Sequence, residues 1–227
     1  MTNFLLFTNL NKMNNQTILV AVIALLIGGI GGYVIADKDK QYTEREHTKD
    51  VSDSATGMHR MSDGTLMSNI PRNMGMSGVD HSAMMVSSER EFVAGMIPHH
   101  QEAVDTANEV LARGGTNEQI MVLANEIIAA QKTEIALLKE WHLEWYGEPY
   151  IEDGSYKPMM RDLTQLSGVE LDRTFLEDMI PHHMGAIMMA QSVRPYIEHQ
   201  EITDMANAII ETQSAEVDRM RDLFTKL

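Results

Sequence analysis

FVAGMIPHH at residues 92–100 returns as FLEDMIPHH at residues 175–183. Phe92, Met96, Ile97, Pro98, His99 and His100 reappear as Phe175, Met179, Ile180, Pro181, His182 and His183. Further along, ANEIIAAQKTE (124–134) returns as ANAIIETQSAE (206–216), the offset falling from 83 to 82. A repeat of this length marks two copies of one supersecondary unit. Each copy sets a His pair and a Met in a helical context, which is the ligand vocabulary of a soft metal.

Working outward from the repeats, the chain reads as four helices. Ser88 with Glu91 forms a capping-box pattern and opens the first, which runs to about Arg113 and stops at Gly114-Gly115. Thr116 with Gln119 opens the second, ending near Tyr146 before Gly147-Glu148-Pro149. A longer connection follows, with a short helix expected near Pro158–Leu166. Ser167 with Glu170 opens the third helix, ending near Pro195, and the fourth runs from about Gln200 to Lys226. Two tight turns and one longer connection predict an all-α, antiparallel four-helix bundle built of two repeated hairpins, residues 88–146 and 168–227.

Heptad-like steps of four and three give each helix a core stripe. The stripes are Phe92, Met96, His99, Ala103, Thr106, Val110; Ile120, Ala124, Ile127, Gln131, Glu134, Leu138, Trp141; Phe175, Met179, His182, Ala186, Met189, Val193; and Ile202, Ala206, Ile209, Gln213, Glu216, Met220, Leu223. Each stripe is interrupted by polar residues at mid-length. His99 and Gln131 are equidistant from Gly115, and His182 and Gln213 from the second turn. In antiparallel hairpins such residues share a height, here ~24 Å from the turn at ~1.5 Å per residue. The expectation is a polar layer of His99, His182, Gln131 and Gln213. Glu134 and Glu216 lie one turn away, and Met96, Met179 and Met189 form its border. His100 and His183 fall beside the seam; they stand among the metal candidates and could also serve a neighbouring subunit or the surface.

Two readings of this layer compete. Imidazole with thioether suits copper, and thioether favours Cu(I), with Glu134 or Glu216 orienting a ligating ring. Alternatively, buried His, Gln and Glu satisfy one another and lock the helix register.

The rest of the chain narrows the choice. The 227 residues contain no cysteine, so thiolate sites and disulfides are excluded. A formal charge of −15 argues against nucleic-acid binding. Residues 18–36 form an uncharged apolar run that suits a single membrane span, with a cleaved signal peptide as the alternative. Either places residues 37–227 outside the cytoplasm. Residues 37–57 read as a polar stalk and residues 58–87 as a flexible Met/His-rich segment. Met58, His59, Met61, Met74, Met76, His81, Met84 and Met85 lie where no core is expected, at short chelating spacings. A thioether needs no deprotonation to bind metal and survives where thiols oxidise.

Two copies of F-x-x-x-M-I-P-H-H-x-x-A, each followed by A-N-x-I-I-x-x-Q-x-x-E, resemble the domain-of-unknown-function 305 family over residues 88–227. The resemblance implies a ferritin-like bundle. It also implies kinship with extracytoplasmic copper-binding proteins of the CopM type, implicated in copper resistance. Met96, His99, His100, Met179, His182 and His183 match the family motif. A further family Met is kept as Met189 in the second copy and replaced by Thr106 in the first. The expected role is a non-enzymatic copper buffer or carrier, with a homo-oligomer or a copper-exporting partner left open. A di-metal oxidase is the weaker alternative, because no bundle Glu precedes a His by three. A metal-free structural module is the third.

Overall fold

The computed structural model describes residues 58–60, 66–68 and 84–227. The apolar run 18–36 and the stalk 37–57 lie outside the described residues, as do Met61, Met74, Met76 and His81. Among the described residues no helix is long and apolar enough to cross a membrane. Within the Met-rich segment, β1 (Met58–Arg60) pairs antiparallel with β2 (Leu66–Ser68), His59 opposite Met67. No strand period is legible there. The pairing takes three residues on each side, too short a stretch for alternation to show.

Four helices follow among the described residues: α1 (Glu89–Arg113), α2 (Glu118–Tyr146), α3 (Gly168–Ser192) and α4 (Gln200–Thr225). Ser88 caps α1 by accepting from the Glu91 N–H at 3.0 Å. Glu91 reaches back one residue further than in a capping box, accepting from the Ser87 N–H and hydroxyl. Gly114 and Gly147 end α1 and α2 in left-handed conformations at φ 70° and 73°, which only glycine adopts without cost. Both helices containing proline run unbroken through it, at Pro98 and Pro181.

Three local expectations are corrected. Asn117 caps α2, not Thr116, because the Thr116 hydroxyl is donated to Asp172 instead. The 158–166 stretch forms no helix; its backbone N–H groups at 159, 160 and 161 go to carboxylates of α1 and α3. After Ser192 the chain makes a 3-10 turn over Arg194–Tyr196 around Pro195, so α3 stops three residues before that proline.

α1 packs against α2 and α3 against α4, and α1 meets α3 between the hairpins. Two carboxylates fasten the hairpins reciprocally. Asp172 of α3 accepts from Thr116 N (2.8 Å), Thr116 Oγ1 (2.7 Å) and Asn117 N (3.0 Å) in the α1–α2 turn. Glu89 of α1 accepts from Glu198 N (2.7 Å) and His199 N (2.9 Å) in the α3–α4 turn, and pairs with His199 Nδ1 at 2.6 Å. Glu89 and Asp172 are equivalent in the repeat, as are Thr116-Asn117 and Glu198-His199. Each hairpin therefore holds the other's turn, the self-complementary pattern of a two-fold relation.

The bundle has two apolar cores. One gathers Phe92, Met96, Leu138, Trp141, Met189 and Ile202; the other gathers Val110, Ile120, Phe175, Met179, Met220 and Leu223. Fully burying each Phe contributes roughly 1.5–3 kcal/mol. Trp141 closes the first core and stacks on Trp145, which stacks on His199 at 3.8 Å between ring centroids.

Candidate metal centre

Between the two cores lies the polar layer. The rings of His99 and His182 face each other across the hairpins, 3.8 Å between centroids at 33°. Both are about 1 % exposed. Gln131 and Gln213 are buried as well, and neither side-chain carbonyl has a hydrogen-bond partner. Both nitrogens of His99 and both of His182 likewise lack an aligned partner. Unsatisfied polar atoms at this density cost stability in a metal-free core, since each buried orphan loses its hydration without return.

His100 and His183 do not face the surface. Both are fully buried, with carboxylates from their own hairpins at the ring edge. His183 Nε2 meets Glu216 Oε2 at 2.7 Å in an aligned hydrogen bond. His100 Nε2 lies 2.8 Å from Glu134 Oε2, close enough to pair though poorly aligned. A carboxylate at Nε2 selects the tautomer that carries its proton there, which leaves the Nδ1 lone pair available. In both residues Nδ1 is buried and unpartnered. These Glu–His pairs have the arrangement by which proteins orient metal-ligating imidazoles.

Electrostatics keep the central rings neutral. Burial pushes the His99 imidazolium well below its ordinary range, and the neighbouring His182 and His100 push it further, against the pull of Glu102. Burial does the same to His182, reinforced by His183 and His100. Neutral imidazole is the form that coordinates metal.

The sequence stripe missed Glu102 and Tyr156. Glu102 sits one turn beyond His99 on α1, facing the α2–α3 connection. Its Oε1 accepts from the Met159 and Met160 N–H groups at 2.8 and 2.9 Å. Its Oε2 accepts from the Tyr156 hydroxyl and lies 3.3 Å from His182 Nε2. Burial and this hydrogen bond to Glu102 push the Tyr156 hydroxyl far up, so it stays protonated and donates. The spacing Glu102–His99 was visible, but only the fold brings the connection over it.

The remaining candidates separate. Met96, Met179 and Met189 are buried in the apolar cores bordering the layer, and the Met189 methyl lies close to Gly95. Met84, assigned by sequence to a coreless segment, is buried in the first core, whereas Met85 is 60 % exposed. Met58 and His59 lie on β1. Among the described residues no group of three or more His, Asp or Glu converges to hold a metal ion.

The family model described as a domain of unknown function, DUF305, matches residues 35–142 and again 89–224. The structure of CopM in the Cu(I)-bound form is 32 % identical, with a TM-score of 0.56, over 62 % of this chain and 98 % of CopM. CopM in the Cu(II)-bound form gives 32 % and 0.55 over the same shares. A DUF305 fragment from Deinococcus radiodurans is 28 % identical, with a TM-score of 0.55, over 63 % of this chain and 99 % of the fragment. No curated protein matches the chain. The chain belongs to the DUF305 family.

Proposed function

From this family membership we propose that the protein binds copper outside the cytoplasm, as a buffer or carrier that keeps the ion from reacting elsewhere. The observation that carries the proposal is the buried group of four His, seven of whose eight ring nitrogens lack an aligned hydrogen-bond partner. CopM, matched over 98 % of its length, has structures in Cu(I)-bound and Cu(II)-bound forms. Neutral His99 and His182, together with Nδ1 of His100 and His183, supply imidazole donors, and thioethers beside the layer favour Cu(I). Met58, His59, Met61, Met74, Met76, His81 and Met85 offer a second set of donors that captures the ion first. Residues 18–36 anchor the chain to the membrane, and the role needs no catalysis.

An anaerobic competition titration of the full chain against a Cu(I) chelator tests the proposal. Withdrawal of Cu(I) from the chelator supports it, and no withdrawal at any protein excess removes it. Replacing Met58, Met61, Met74 and Met76 by Leu should lower the number of ions bound without abolishing binding.

A further inference from the structure

Gly185 stands in the middle of α3, buried, where glycine disfavours a helix by about 1 kcal/mol relative to alanine. Its backbone does not require glycine, since it is not among the positive-φ positions. Its surroundings do. A β-carbon at 185 would lie 3.2 Å from His99 Nε2, 3.2 Å from Met84 Sδ and 3.7 Å from the Met159 methyl. Three soft side chains from three separate segments therefore converge on the space that the missing side chain leaves. One of the converging atoms, His99 Nε2, is buried and without a partner.

The equivalent position in the first repeat is Glu102, which faces His182 and ties down the α2–α3 connection. That tie also fixes Met159, whose N–H is one of the two it holds. The same motif thus faces an oxygen donor at His182, and at His99 the Met84 sulfur and the Met159 methyl.

We infer that Met84, His99 and Met159 form a soft-cation site for Cu(I) or Ag(I) in the notch at Gly185, distinct in donor chemistry from the His182–Glu102 side of the layer. This rests on the copper-binding reading but goes beyond it, because it selects one half of the layer and adds Met159. One imidazole and two thioethers is a donor set that favours monovalent, polarisable ions over Zn(II) or Mg(II). Thioethers bring no charge to neutralise, so the set operates inside an apolar core without adding a buried anion. Met84 belongs to the Met-rich segment by sequence, and its side chain is buried in the bundle.

The test uses the full chain, Cu(I) under anaerobic competition, and sulfur counting by X-ray absorption at the copper edge. Two variants report independently: the pair Met84→Leu with Met159→Leu, and Gly185→Ala. Gly185→Ala fills the notch while improving helix propensity, so lost binding cannot be ascribed to a lost helix; Met220→Leu in the other core is the control. Both test variants should weaken the tightest Cu(I) site by at least about tenfold, the loss caused even by removing an outer partner of a ligand. The paired Met variant should also lose sulfur from the copper coordination. Wild-type affinity and sulfur count in both variants would overturn this assignment while leaving copper binding in place. Failure of the unaltered chain to bind Cu(I) would overturn both.

Discussion

The two hairpins repeat the same motif, yet they do not repeat its environment. His100 and His183 each meet a Glu of their own hairpin, and Glu89 and Asp172 each grip the other hairpin's turn, so the frame is two-fold. At the next helical turn the symmetry stops. Glu102 faces His182 in one half; Gly185 opens onto His99, Met84 and Met159 in the other. The residues that set helix positions and the four histidines are duplicated, and the groups that stand beside His99 and His182 are not. A duplicated scaffold can keep its packing while its two halves diverge in what they present to an ion.

The largest expected effect breaks the symmetric frame. Asp172→Ala should cost about 3 kcal/mol in urea unfolding, because it strips three donors of a fully buried acceptor. Gly115→Ala should approach that loss, since a β-carbon there would sit 2.3 Å from Asp172 Oδ1. The counterpart Glu89→Ala should cost less, about 2 kcal/mol, because its His199 partner is one-third exposed. Equal losses at the two locks would show the frame to be more symmetric in energy than in geometry.

Next in size is the pH dependence of the apo protein. His99 and His182 are held below their ordinary value of 6.5 by burial and then by neighbouring imidazoles. Below that value the unfolded chain binds protons that the folded chain refuses. Stability should be level above about pH 6.5 and fall as pH drops through it, read as the urea midpoint from about pH 8 to about pH 5. Replacing both rings by Leu should flatten that fall.

Smallest is the asymmetric latch. Tyr156→Phe removes one hydrogen bond to Glu102 and should cost about 1 kcal/mol by urea unfolding. A null result would show that the two backbone N–H groups alone hold the connection.

Much of this was legible in the chain. Helix ends followed from Ser88, Gly114 and Gly147, and the interrupted stripes put His99, His182, Gln131 and Gln213 on buried faces. Period and distance from a turn are local properties, and they suffice for a bundle. What escaped depends on irregular backbone. Glu102 falls off the narrow stripe, and nothing periodic in residues 148–166 says that Tyr156 and Met159 return to it. Met84 looked coreless because its contacts belong to α3, a hundred residues away. His100 and His183 looked peripheral because a strict seam is narrower than the buried face of a globular helix.

On the proposed copper-binding role, the polar layer exists for metal and not for helix register. Thermal melts of the full chain, with and without Cu(I), test it most directly when set beside His99→Leu with His182→Leu. Binding to the folded state alone raises the melting temperature. Copper should raise the melting temperature of the unaltered chain. The double variant should melt at least as high without copper, because four orphaned ring nitrogens are gone, and its copper shift should be much reduced. A double variant that fails to fold, or one that keeps the full copper shift, would contradict it.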